Sequence, residues 1–324
     1  MRRSAIAVAL LVLATVPLWV ASGYYVNIIS QILIWAILAL ALNVLVGYAG
    51  LVSLGHAGLF GIASYAVAWL VVNASGYLAA TLAAIALSLA AAAIFAVLSL
   101  RATGIGFLMI TLALGQILWG IAYRWIGLTG GDNGISVPAR PMPLGLSLAG
   151  STAFYYAALL VFLAAMLSMA VFVNSPFGAS LKGTRDQPRR MTALGYNVWL
   201  IRFLAFLFSG FWSGIAGILY AYYNQFVSPQ ILALATSAEA LLMVIAGGTG
   251  TLLGPIAGAA LVVVMKNVAS AYIERWNFVL GAIFVAIVIF MPEGLVPGSL
   301  RLGRWGWAVM RGGRLARVAD EGRR

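Results

Sequence analysis

This chain contains no cysteine and a single histidine. Disulfide frameworks and thiolate metal sites are thereby excluded, and so is a metal centre built from several histidines. Charge is scarce as well. Only 8% of the 324 residues are charged against 64% hydrophobic, and a soluble fold of that length cannot hide so much apolar surface. The surroundings of most of the chain must therefore be lipid. Other signatures are missing too: no Gly-x-x-x-x-Gly-Lys-Ser/Thr phosphate loop, no His-Glu-x-x-His helix and no cluster of carboxylates suited to proton relay. Neither an enzyme nor a self-powered pump is indicated, and any energy used has to come from another chain.

Long apolar runs take up the rest. A membrane-crossing helix needs about 20 mainly apolar residues. Such runs fall at 5–21, 28–46, 51–73, 78–100, 104–123, 152–173, 202–222, 237–249, 252–272 and 277–292, the eighth too short to cross upright by itself. The expected fold is an all-α integral membrane protein of about ten transmembrane helices. The first run, behind Arg2 and Arg3, has the length of a signal peptide and is taken as a retained helix. Residues 1–300 are expected to form one polytopic domain, with no room for a soluble domain of ordinary size, and 301–324 a basic tail.

The net charge of +12 is gathered at Arg2 and Arg3, at 182–202 and at 301–324. Lysine and arginine in short loops collect on the cytoplasmic side, where they also meet anionic lipid, so topology explains the charge better than nucleic acid does. With both termini cytoplasmic, Arg101 and the loop 174–201 fall on the inner side, and the loop 124–151 falls outside. The outer loop holds Arg124, Asp132 and Arg140, and its glycines and Pro138, Pro141 and Pro143 predict tight turns.

Two glycine-rich stretches interrupt apolar runs in opposite halves of the chain. One is 43–58, with Asn43, Gly47, Gly50, Ser53, Gly55, His56 and Gly58. The other is 247–255, with Gly247, Gly250, Gly254 and Pro255. Each predicts a broken helix. Irregular backbone is tolerated at membrane depth only where it packs in protein or lines a wet cavity, and paired breaks in two halves point to a transport pathway. The glycine spacings are similar without being the same, a weak hint of internal repetition. His56 is a candidate by virtue of being ionisable in a membrane, with a packing role as the bland alternative. Glu239 reads as a cavity-mouth or interfacial carboxylate, while Glu274 and Arg275 read as loop residues. Gly210, Ser213, Gly214 and Gly217 have the spacing of a close helix contact. In the inner loop, Ala179 to Thr184 predicts one short helix, and Pro188 opens a second that runs through Arg189, Arg190, Met191, Ala193 and Leu194 and stops at Gly195. Two short helices on an exposed basic loop make a docking surface.

Five segments together resemble the permease subunits of branched-chain amino acid ABC transporters, of the LivM type. They are 42–57 (LNVLVGYAGLVSLGHA), 129–135 (TGGDNGI), 175–178 (SPFG), 193–197 (ALGYN) and 246–255 (AGGTGTLLGP), in family order. The resemblance implies an inner-membrane permease that pairs with a second, LivH-like permease, two cytoplasmic ATPases (LivG-like and LivF-like) and a periplasmic binding protein. No cofactor is then expected on this chain, ATP and Mg being held by the ATPases. Within 185–197, Arg185, Asp186, Arg189, Arg190, Ala193, Leu194 and Gly195 would couple to the ATPases. Pro188-Arg189-Arg190 departs from the acidic, alanine-rich helix start usual in the family. Asn43, Gly50, Ser53, Gly55, His56, Gly247 and Gly250 are the substrate-pathway candidates. Related permeases serve urea, short amides or aromatic acids, and a passive channel or a secondary transporter would show broken helices as well.

Overall fold

The computed structural model describes residues 23–73, 76–137, 140, 149–272, 276–291 and 294–298, together with Thr15 and Pro17. The first apolar run apart from Thr15 and Pro17, together with Pro138, Pro141, Pro143, Glu274, Arg275 and the basic tail, lies outside the described residues. What is described is a helical, multi-pass membrane protein. α1 (Gly23–Asn43) continues as a π-helical turn over Val44–Ala49, and α2 spans His56–Val72. α3 (Tyr77–Ser99) and α4 (Ile105–Arg124) follow, then the short α5 (Ile126–Thr129) and β1 (Ile135–Ser136). α6 (Ser151–Asn174) leads into α7 (Pro176–Asp186) and α8 (Pro188–Ala193), and α9 (Val198–Asn224) into β2 (Phe226–Val227). α10 (Leu234–Gly247), α11 (Gly254–Tyr272) and α12 (Trp276–Phe290) complete the set.

Five of these are long and apolar enough to cross a membrane: α1 with its π turn, α3, α4, α6 and α9. α2, α10 and most of α11 are apolar but shorter. The expected number of about ten crossing helices is therefore not established. The reason is local: the two glycine stretches are not kinks within helices but the links from α1 to α2 and from α10 to α11, so they shorten the helices beside them. The run expected at 51–73 accordingly becomes helical only at His56.

α1 is the axis of the bundle. From Leu33 to Leu42 every residue is buried and apolar on all sides, as befits a helix surrounded by others. It is packed against α6, α9, α10 and α11. α9 packs in turn on α2 and α3. The expected small-residue face of α9 makes that contact: a Cβ on Gly210 would collide with Ala92, on Gly214 with Ser88, and on Gly217 with the Phe60 carbonyl. The backbones are close enough for Ser64 to donate to the Gly217 carbonyl at 2.8 Å.

The bundle has two distinct ends. At one, β1 pairs antiparallel with β2, placing Ile135 opposite Val227 and tying the segment after α4 to the end of α9. Arg140 adds a clamp there, donating to the carbonyls of Ala149 and Tyr223 and lying 4.8 Å from the Phe154 ring centroid. At the other end lie α7, α8 and both glycine links. Ser175 caps α7 by accepting from the Gly178 amide, and Pro176 and Pro188 open α7 and α8 as the turn signals predict.

Gly217→Leu is expected to overpack the α9–α2 contact at a cost of about 1–3 kcal/mol and to lower the thermal midpoint in detergent. Gly120→Ala, on α4 where nothing lies within 4 Å of an added Cβ, is expected to leave the midpoint unchanged or raise it.

Candidate functional site

A broken helix inside a membrane has to find partners for the amides it releases, and the first break does so with one of its own carbonyls, its own Ser53 and two hydroxyl groups from other elements. The Leu51 amide donates back to the Leu45 carbonyl across the π turn at 2.9 Å. The Leu54 amide donates to Thr111 Oγ1 of α4 at 3.2 Å, that of Gly55 to Ser53 Oγ at 3.3 Å, and that of Ala57 to Ser237 Oγ of α10 at 3.2 Å. Gly50 closes the π turn in the left-handed region, at φ 69°.

His56 is fully buried and bonded at both ring nitrogens. Its Nε2 lies 2.8 Å from Ser209 Oγ of α9, and Ser209 gives its one hydroxyl proton to the Ala41 carbonyl at 2.6 Å. Nε2 must then be the donor. In a neutral ring Nδ1 is consequently the acceptor, taking its hydrogen bond from Ser53 Oγ at 3.0 Å. The chain Ser53–His56–Ser209–Ala41 thus ties α2, α9 and α1 together in the bundle interior.

Asn43 joins the two breaks. Its Oδ1 accepts from the Gly250 amide at 2.9 Å and its Nδ2 donates to the Thr251 carbonyl at 2.8 Å. One side chain on α1 therefore reads both faces of a peptide segment more than 200 residues away. Gly47 has to be glycine for this approach, since a Cβ there would meet the Gly250 amide nitrogen and the Asn43 side chain. The second break keeps itself in shape through Thr251, whose hydroxyl donates to the Gly248 carbonyl at 2.8 Å and accepts from the Gly254 amide at 3.0 Å. A Cβ on Gly247 would collide with the Gly254 carbonyl, and one on Gly258 with the Met243 carbonyl, so α10 and α11 meet backbone to backbone.

The basic loop reaches into this arrangement at one point. Arg185, on the last turn of α7, donates from Nη1 to the Gly47 carbonyl at 2.6 Å, while its methylene stem lies where a Gly50 side chain would be. That puts a cation at the carbonyl end of α1, the negative pole of its dipole. Its Nε is paired with Asp186 at 2.8 Å. Nearby, Lys182 Nζ lies 5.5 Å from the Tyr48 ring centroid. By contrast Arg189, Arg190, Ala193, Leu194 and Gly195 are all exposed, with Leu194 at 66%. Beside them Tyr196, Trp199 and Leu200 also present apolar surface.

The candidates named from sequence thus fall into three groups. Asn43, Gly47 and Gly250 meet at the junction of the breaks, with Arg185 and Gly50 directly beneath and Gly247 alongside. Ser53, Gly55 and His56 form a separate buried cluster, with Gly55 packed on the Thr111 carbonyl and the Phe95 ring. The α8 residues stand apart at the surface. Sequence reasoning missed Ser209, Thr111, Ser237 and the reach of Arg185 to Gly47. Nothing in their neighbourhoods marks the three hydroxyls, whereas Thr251 at least lies inside a glycine motif.

Comparison with known proteins follows this geometry closely. The family model described as "Branched-chain amino acid transport system / permease component" matches residues 24–288, which includes both breaks and the basic loop. The chain is similar to the high-affinity branched-chain amino acid transport system permease protein LivM of Salmonella typhimurium, at 30% identity over 89% of this chain and 74% of the relative. LivM of Escherichia coli matches at 30% over 90% of this chain and 74% of its own length. The permease protein LivH of Salmonella typhimurium is 23% identical over 53% of this chain and 59% of its own. No solved structure gives a significant match.

Asn43→Ala removes both bonds that join the breaks. It is expected to release about 1–3 kcal/mol of local stability, so that exchange of the Gly250 amide, followed by hydrogen-exchange mass spectrometry of the 247–254 peptide, accelerates on the order of 5- to 150-fold. Unchanged exchange would show that the second break holds its shape without α1.

Proposed function

Since the chain belongs to the family of branched-chain amino acid transport system permease components, we propose that it is one permease of an ATP-binding cassette importer for branched-chain or other hydrophobic amino acids. It works in the bacterial inner membrane, with the basic-loop end and both termini in the cytoplasm. A second, LivH-like permease completes the membrane core. Two ATPases, LivG-like and LivF-like, hold ATP and Mg, and a periplasmic binding protein delivers the substrate at the β1–β2 end.

The observation that carries this reading is the 2.6 Å bond from Arg185 to the Gly47 carbonyl. It joins the loop best placed to meet an ATPase with the segment whose glycines interrupt the membrane helices. The exposed face of α8, with Arg189, Arg190, Ala193, Leu194 and Gly195, takes the ATPase. Displacement of α8 moves α7, and α7 carries Arg185. A hydrogen bond from a charged donor contributes about 1.5–3 kcal/mol net, the same scale as ordinary coupling free energies of about 1–3 kcal/mol. Such a bond is strong enough to bias the break between two arrangements and weak enough to be exchanged in each cycle. When it is released, the Asn43 bridge between the breaks is the next restraint to yield. The pathway then runs past Gly50, Ser53, Gly55 and His56 on one side and Gly247 and Gly250 on the other.

Radiolabelled leucine uptake into vesicles containing this chain with its candidate partners tests the reading, with and without ATP. Uptake is expected to require ATP. Arg185→Gln is expected to lower it about 5- to 150-fold while ATP hydrolysis and assembly persist. Uptake indifferent to ATP and to Arg185 would instead assign a passive path.

A further inference from the structure

Setting aside the basic-loop end and Arg124 at the end of α4, the apolar helices carry two charged side chains among the described residues, and these meet. Glu239 lies five residues inside α10 and Lys266 six residues before the end of α11. At 1.5 Å per residue they lie about 7.5 Å and about 9 Å along the axis from the nearer ends of their own helices. Lys266 Nζ donates to Glu239 Oε2 at 3.4 Å, a long bond for an ion pair. The two side chains remain 42% and 20% exposed. Next to them Asn267 donates to Gln31 Oε1 of α1 at 3.2 Å. Tyr220 of α9 lies within electrostatic reach of Glu239, and its ring packs 5.2 Å from Phe60 and 6.2 Å from Trp35.

Ionisable groups facing hydrocarbon are costly, so the side on which this pair opens faces water or a polar solute. Losing the Lys266 ammonium would leave the Glu239 carboxylate without this cation at low dielectric. A zwitterion is the one small solute that can replace both partners at once: its anion takes the place of Glu239 against Lys266, and its cation the place of Lys266 against Glu239. Net charge is unchanged throughout. The neighbouring amides of Gln31 and Asn267 offer further polar contact, and the Tyr220 ring with Trp35 and Phe60 behind it offers an apolar wall.

We propose that Glu239 and Lys266 form a zwitterion-recognising subsite on the transport path, the α-ammonium of a free amino acid meeting Glu239, its α-carboxylate meeting Lys266, and its apolar side chain lying toward Tyr220. This rests on the amino acid reading given above.

The test uses the whole transporter in vesicles. Lys266→Met and Glu239→Gln are each expected to lower leucine uptake at saturating binding protein by at least about tenfold, while the complex purifies intact and its stimulated ATP hydrolysis persists. Because the chain has no cysteine, Ser270→Cys, one turn beyond Lys266 and exposed, introduces its single thiol. Leucine is expected to slow modification of that thiol by a charged thiosulfonate in an otherwise wild-type chain, an effect that a purely structural ion pair does not produce and that stands whether or not the charge variants assemble. Wild-type uptake by both variants, or a Ser270→Cys modification rate indifferent to leucine in a transporter that takes leucine up, overturns the subsite and leaves the importer standing. Absence of leucine uptake by the wild type overturns the amino acid reading, and the subsite falls with it.

Discussion

A peptide amide in hydrocarbon has no water to turn to, and leaving one unpaired costs several kcal/mol. Every irregular feature of this bundle answers to that constraint. The link from α1 to α2 exists at depth because Thr111, Ser237 and Ser53 accept from its amides, and the link from α10 to α11 exists because Asn43 and Thr251 do the same. Asn43, Thr111 and Ser237 come from three different helices, while Ser53 and Thr251 lie within the links themselves. The breaks can therefore hold their shape only when α1, α4, α10 and α11 are correctly assembled around them. Local geometry at the break and global packing of the bundle are one condition seen at two scales.

That dependence also explains what could be read from the sequence. Composition and run length locate the membrane helices, because hydrophobicity acts residue by residue. Glycine clusters locate the breaks, and proline and glycine place α7 and α8 to within a few residues, because backbone preference is equally local. The small face of α9 follows from spacing alone. Run length nevertheless misplaces the start of α2, since residues 51–55 are apolar enough to prolong a helix while their amides are claimed by hydroxyls elsewhere. The pairings at the site were not legible at all. Asn43 finds Gly250 across 207 positions, His56 finds Ser209 across 153, and Arg185 finds Gly47 across 138. No periodicity encodes such distances; they follow from how helices stack.

The site also divides its polar groups by kind. Neutral ones, Asn43, His56, Ser53, Ser209 and Thr111, do the work in the interior, where they hydrogen-bond without any charge being buried. The basic groups, Arg185 and Lys182, remain at the end of the bundle, reaching inward only as far as the last turn of α1. The pair Glu239 and Lys266 is the exception, and it keeps part of its surface open. Neutral hydrogen bonds where burial is complete, and charge where part of the surface stays open, are what a low-dielectric interior permits.

The small antiparallel pairing of β1 with β2 bears on mechanics. It fastens the segment after α4 to the end of α9, reinforced by Arg140 and by the Val137 amide donating to the Gln225 carbonyl at 2.8 Å. At the opposite end α7 packs on the π turn and on α9 with Leu181 and Thr184 fully buried, and Arg185 and Arg202 donate to the Gly47 and Thr184 carbonyls. A bundle fastened by a strand pair at one end and by side-chain contacts at the other behaves as a set of levers on a common fulcrum. A helix of 27 residues such as α9 is about 40 Å long, so a tilt of about 4° at the fastened end displaces the far end by about 3 Å. That is more than the length of the Arg185 bond, and so a rotation too small to disturb the strands suffices to make or break contact at the other rim.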